Sequence, residues 1–167
     1  MEPSALYDQI ITKLRLKSEL TEVLICLEEF IASFFAPKEQ TDHQMIFDRL
    51  PNGLSQVLND AYLKTPVTHE NQASIKKNVE ALQEKLRMCK TLQLTLAFQP
   101  DDETITIFSD WVKKNVVPGM LIDLQFDKTI VGGALLVAEG IYKDYSVRKA
   151  LANRFQIQKD EIKGLIS

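Results

Sequence analysis

The sequence predicts an α+β protein, with a helical bundle over residues 1–90 followed by a small α/β domain with a mixed sheet over residues 91–167. Through the first half, apolar residues recur about every three to four positions, the period of a helix with one buried face. Near residue 91 the period changes to two, the period of a half-buried strand. The length of 167 residues suits two small domains, each with a modest core.

Five helices are predicted in the first half. Their apolar stripes run from Leu6 to Leu14, Leu20 to Phe35, Ile46 to Leu50, Leu54 to Tyr62 and Ile75 to Cys89. Pro37, the ProAsnGly turn at 51–53 and Pro66 separate these stripes, and Thr41 or Asp42 and Thr68 or Asn71 are candidate N-caps. The last stripe is a narrow seam, which favours packing within the bundle over an external coiled-coil contact.

The second half begins with a strand, a helix and a strand. Leucines alternate with polar residues over residues 92–98, and Pro100 ends the strand. Asp101 and Asp102 can cap a helix whose apolar face is Ile105, Phe108, Trp111 and Val112. A ValProGly turn at 117–119 precedes a second strand over 122–126. Because crossover connections of this kind are nearly always right-handed, the two strands are predicted to be parallel.

Two further strands and a helix complete the second half. Ala134 to Ala138 reads as a strand, and Glu139 with Gly140 turns it back into a strand over 141–143. Ser146 can cap a final helix from residue 147 to about 154. The apolar spacing of residues 155–167 is too irregular to assign an element.

The composition argues against nucleic acid and membrane insertion. Net charge is −3, and clusters of basic residues are limited to isolated pairs such as Lys76 with Lys77 and Lys113 with Lys114, so we expect no basic patch that could displace counterions from a phosphate backbone. The longest apolar stretch, residues 130–138, is far shorter than the roughly 20 residues a spanning helix needs. The N-terminus lacks a signal or transit pattern, so we expect a cytoplasmic chain of bacterial type.

No metal or cofactor is expected from the cysteines and histidines. Cys26 and Cys89 occupy apolar positions of helical stripes, where a reduced thiol acts as a small hydrophobe. His43 and His69 have no ligand spacing around them, which favours a surface or capping role.

Glycines and acidic residues suggest nucleotide or metal sites only weakly. Gly132 and Gly133 lack the spacing of a phosphate-binding loop, and a strand, not a helix, follows them. They are better explained by a bend or a close approach of two backbones. The acids at 101–103 suit helix capping better than magnesium binding. Asp127 and Asp144 have no nucleophile nearby in the pattern.

Arg148 and Lys149 are unusual because cations in the first turn of a helix oppose its dipole. Arg148 could pair with Asp144 four residues earlier, or it could be held for a carboxylate of a partner. Both explanations stay open.

The run DKTIVGGALLVAEGIYKDYSVRKAL, from Asp127 to Leu151, resembles the C-terminal signature of the delta subunit of F-type ATP synthases. This is the family of the mitochondrial oligomycin-sensitivity-conferring protein. The matching positions are Asp127, Thr129, Gly132, Gly133, Asp144, Ser146 and Arg148. The order of elements is similar over residues 91–151. The chain departs from the family at Thr129, where Ser is usual, at Tyr145, where Gly is usual, and in having five predicted N-terminal helices instead of six.

The resemblance implies a peripheral stator subunit that carries out no chemistry. In that family the helical half grips the N-terminal helices of the alpha subunits, and the second half holds the end of the b-subunit stalk. The chain would then lie at the inner face of the cell membrane only through the complex. A helical adaptor outside ATP synthase is one alternative. An enzyme acting on a nucleotide or a small acid is another, motivated only by Gly132, Gly133 and the acidic residues.

Overall fold

A computed structural model describes residues 3–35, 43–64, 66–68 and 70–155, and it has the α+β fold that the sequence predicts. The elements are α1 Pro3–Lys13, α2 Lys17–Ser33, α3 His43–Asp48, α4 Leu54–Tyr62, α5 Gln72–Arg87, β1 Thr91–Leu96, α6 Asp102–Asn115, β2 Leu121–Phe126, β3 Ala134–Ala138, β4 Ile141–Asp144 and α7 147–155. The five helices before residue 90 and the change to strands at residue 91 confirm the periodicity argument.

The helices α1 to α5 enclose a core of large apolar side chains. Those with almost no exposed surface include Ile10, Leu14, Leu27, Phe30, Phe47, Leu54, Leu58, Leu82 and Leu86. The Phe30 ring lies at the centre, with its centroid 5.2 Å from that of Phe47 and 5.6 Å from that of Tyr62. The seam of α5 is buried within this bundle against α1 and α2.

The four strands form one mixed sheet in the order β2, β1, β3, β4. β1 and β2 are parallel, with Thr91 opposite Leu121, which confirms the prediction from the crossover. β3 runs antiparallel to both β1 and β4. β4 is therefore a four-residue edge strand, and its Ile141 and Tyr142 side chains are largely exposed. A second apolar core of Leu92, Leu94, Leu96, Val112, Met120 and Ile122 lies beneath α6.

The structure contains some, but not all, of the helix N-caps that the sequence predicts. Asp101 caps α6 as predicted, because its Oδ1 accepts a hydrogen bond from the Thr104 amide at 2.9 Å. Asp102 instead binds Arg15 of the helical half, at 2.9 Å. Asn71 occupies the N-cap position of α5, but its side chain bonds the Thr68 amide and the Pro66 carbonyl, so the predicted side-chain cap is wrong there.

Some predictions fall outside the described residues. These are the caps at Thr41 and Asp42, the side chains of His43 and His69, and the tail beyond residue 155. Within the described ranges, no helix is both long enough and apolar enough to cross a membrane.

Candidate partner-binding region

Two aspartate turns hold the signature residues that follow β2 and β4. Asp127 Oδ1 accepts hydrogen bonds from the Thr129 hydroxyl at 2.7 Å and from the Thr129 amide at 2.8 Å. Asp144 Oδ1 accepts one from the Ser146 amide at 2.7 Å. These bonds favour the charged carboxylates and lower the pKa of both Asp127 and Asp144 below its usual range. The Thr129 hydroxyl therefore stabilises the turn that begins at Asp127.

The double glycine lies against the second of these turns. Gly133 has a φ of 89°, and a Cβ on it would lie 2.3 Å from the Tyr145 carbonyl oxygen and 2.8 Å from the Ser146 Cα. Both neighbours are backbone atoms, so neither can swing away. Gly132 has a φ of 80°, and a Cβ on it would lie 3.1 Å from the Val147 Cγ2. A close approach of two backbones, as the sequence suggested, therefore explains why glycine stands here.

Backbone hydrogen bonds join the two segments into one unit. The Tyr145 amide donates to the Ala134 carbonyl at 2.8 Å, and the Val147 amide donates to the Gly132 carbonyl at 3.1 Å. Ser146 is buried, and its Oγ accepts from the Lys149 amide at 3.3 Å, at the start of α7. The Tyr145 backbone carbonyl lies against Gly133, while the Tyr145 side chain is more than half exposed.

A small polar groove of about 190 Å³ lies beside this unit. It is lined by Asp127, Thr129, Ile130, Val131, Leu135, Tyr142, Asp144, Ser146 and Arg148. Five of the seven signature positions thus line the groove, and the two that do not are Gly132 and Gly133. Arg148 is exposed, and no ion pair joins it to Asp144 in the part of the chain that the structure describes. Of the two explanations for Arg148, intramolecular pairing is not found.

A larger apolar groove opens between α6 and the face of the sheet. Its volume is about 410 Å³, and its lining is Leu92, Leu94, Leu96, Ile107, Phe108, Trp111, Val112, Ala134, Leu136 and Tyr145. An adjoining pocket of about 290 Å³ shares Leu92, Trp111, Leu136 and Tyr145 with it. Ile107 and Trp111 are 60% and 58% exposed, so α6 does not close over the sheet.

The sequence pointed to this groove only indirectly. It placed Trp111 on the apolar face of α6, where burial was the natural expectation, and it did not single out Ile107. The sequence signal that could have revealed the groove was the width of the apolar face of α6. Apolar residues at 105, 107, 108, 111 and 112 cover more than the surface that one small sheet can bury.

Among the residues that the structure describes, no cluster of His, Cys, Asp and Glu could hold a metal ion. Burial raises the pKa of the Cys26 and Cys89 thiols, which disfavours the reactive thiolate. Cys26 is buried as predicted, whereas Cys89 is only half-buried and lies 3.6 Å from the Tyr7 hydroxyl.

No protein-family model matches the chain, and no curated protein matches it significantly.

Proposed function

We propose that this chain is a peripheral stator subunit of an F-type ATP synthase, which links the alpha subunits of the catalytic head to the b-subunit stalk. The resemblance over Asp127 to Leu151 motivates the proposal. In support of it, the signature residues form one compact unit beside an open apolar surface. The subunit would carry torque, perform no chemistry and lie at the inner face of the cell membrane only through the complex.

The apolar groove is the observation that carries the proposal. An amphipathic helix binds by placing an apolar stripe into a hydrophobic groove, and it needs little from the receptor beyond a long apolar surface with a polar surround. The groove has such a surface along β1 and β3, and Ile107 and Trp111 form its rim. We assign this groove to the end of the b stalk. Tryptophan residues that a partner buries at the centre of an interface are frequent hot spots, and a helix in the groove would bury Trp111 in this way.

The signature unit would shape one side of this docking site. Tyr145 belongs to both the Gly133 contact and the groove lining, so the glycine turn determines where the Tyr145 ring stands. Arg148 follows the same turn and forms no ion pair with a carboxylate in the part of the chain that the structure describes, and we assign it to a carboxylate of the stalk.

The helical half would contact the head. It exposes Ile25, Phe35, Met45 and Met88, which belong to or adjoin its helical stripes. We propose that such exposed apolar positions receive the N-terminal helices of the alpha subunits, as the resemblance implies.

A pull-down with matched charge insertions tests the stalk site. Ile107→Lys places a cation inside the groove, whereas Asp110→Lys places one on the exposed side of the same helix. Burying an isoleucine contributes about 1.5 to 3 kcal/mol, so we expect at least about tenfold weaker b-stalk binding for Ile107→Lys. Asp110→Lys should bind normally. Equal binding by both variants would remove the groove from the proposal.

Co-purification from the native host tests the wider proposal. Recovery of the chain with alpha and b subunits is expected. Recovery with a different helical protein would favour the adaptor, because the groove alone suits either partner. A nucleotide that raises the melting temperature would favour the enzyme alternative, since a ligand of the folded state stabilises it.

A further inference from the structure

The connection between α1 and α2 lies on the sheet of the second half. The Ile122 amide donates to the Arg15 carbonyl at 3.0 Å, and Leu16 forms a parallel bridge with Ile122. This short connection therefore extends the sheet at the free edge of β2. Arg15 and Leu16, which belong to the helical half in sequence, therefore lie at the edge of the sheet in the second half.

The two cores also exchange side chains. Leu121 at the start of β2 is fully buried in the core of the helical bundle. Leu16 from the α1–α2 connection packs against the core of the sheet. Gly119, just before β2, lies so close to Ile11 that a Cβ there would be 3.2 Å from its Cγ1. Neither core is complete without the other half.

Arg15 stabilises the contact between the two halves at the first turns of α6. Its guanidinium donates to Glu19 Oε1 at 2.8 Å, to the Thr106 hydroxyl at 2.9 Å and to Asp102 at 2.9 Å. The Arg15 side chain is only 13% exposed. Glu19 is buried too, and it also accepts from Asn52 at 2.9 Å. One arginine therefore ties α2 to the first turns of α6.

Lys113 fastens the contact from the other end of α6. Its ammonium group donates to the carbonyls of Thr12 at 3.0 Å and Leu14 at 2.6 Å. These carbonyls lie at the C-terminal end of α1, where a cation satisfies free acceptors and interacts favourably with the helix dipole. Lys17 adds an ion pair with Asp123 of β2 at 2.8 Å. Both ends of α6 and the start of β2 are thus held by a few residues of the first half.

We infer that the contacts of the α1–α2 connection join the helical bundle and the sheet into one cooperative folding unit with a fixed mutual orientation. Two domains joined only by a linker would move and unfold separately. The inference does not depend on the stator proposal, because every contact that carries it lies within the chain.

Urea unfolding with two probes tests it on the full chain. Trp111, the single tryptophan, reports on the sheet, and far-ultraviolet circular dichroism reports mainly on the bundle helices. In the unmodified protein the two transitions should coincide, as they do for one cooperative unit. In the double variant Asp102→Ala with Lys113→Met they should separate. The matched double variant Glu103→Ala with Lys114→Met removes the neighbouring charges in the same turns and should leave them coincident.

Hydrogen exchange at the Ile122 amide provides a second readout if the double variant folds poorly. With Lys113→Met alone we expect exchange on the order of tenfold faster, since hydrogen bonds to a charged group hold the connection in place. With Lys114→Met the rate should not change. Separate transitions in the unmodified protein, coincident transitions in the Asp102 and Lys113 double variant, or equal exchange in the two lysine variants would each overturn the inference.

Discussion

The helical bundle and the sheet bury their apolar residues to different degrees. The bundle surrounds Phe30, Phe47 and their neighbours on all sides, and these side chains have almost no exposed surface. In the sheet half, Ile107 and Trp111 of the covering helix α6 stay more than half exposed. The difference indicates that the bundle core is closed, whereas the sheet half keeps an open apolar surface, which is the surface that we propose for the stalk.

Truncation of the bundle core should have the largest effect. Phe30→Ala leaves a cavity in a fully enclosed site and should lower the free energy of unfolding by about 3 to 5 kcal/mol. Phe35→Ala, at a ring that is 74% exposed, should change it by less than about 1 kcal/mol. Urea unfolding of both variants measures the contrast. A small loss of unfolding free energy in Phe30→Ala would mean that the bundle core is not fully enclosed.

Gly133→Ala should have the next largest effect. The new Cβ meets the fixed backbone of Tyr145 and Ser146, so we expect a loss of about 3 kcal/mol or more. Gly140→Ala is the matched control, because Gly140 has a similar φ of 80° but no atom within 4 Å of the new Cβ. It should lose only the roughly 1 to 2 kcal/mol of the left-handed conformation. Equal losses in thermal unfolding would contradict the close-contact explanation.

Substitution at the groove rim should separate stability from binding. Trp111→Ser removes apolar surface that already faces solvent, so the free energy of unfolding should fall by only about 1 kcal/mol. Binding to the b stalk should weaken by about 2 kcal/mol or more, as for other aromatic hot spots. Calorimetry of binding beside urea unfolding checks both parts. A large stability loss with unchanged binding would reverse the assignment of this surface.

The smallest expected effect is on how the stability of the second half depends on pH. The pKa of Asp127 is lowered in the folded state, so the unfolded chain binds more protons as the pH falls. The resulting stability is present above the unfolded value of about 3.9 and is lost as the pH falls through the folded value. Asp127→Asn should therefore flatten the fall of the urea midpoint in acid. The control is Asp8→Asn, because the Asp8 carboxylate has no hydrogen bond or ion pair among the described residues. This variant should leave the fall of the urea midpoint in acid unchanged.

Much of the fold follows from local patterns in the sequence. The spacing of apolar residues located five helices, and the alternation of Leu92, Leu94 and Leu96 located β1, because these periods depend only on near neighbours. Gly133 was recognised for the same reason, since only a turn or a close contact needs glycine in such a place.

The junction between the halves could not be predicted in this way. The sequence predicts that Asp102 caps α6, yet Asp102 binds Arg15, and Lys113 binds the carbonyls of Thr12 and Leu14. No local period encodes such a contact. The groove was missed for a related reason, because a stripe of apolar residues does not reveal how much of it a neighbouring element covers.

The bridge between Leu16 and Ile122 also governs how the sheet could associate with other chains. It occupies the start of the β2 edge, so β4 is the one edge along which a foreign strand could pair in full within the described residues. The other edge is left open only over residues 123–126 of β2, beyond the bridge. Pairing of β4 between two copies would close as a dimer, and this remaining part of β2 is where further chains could add.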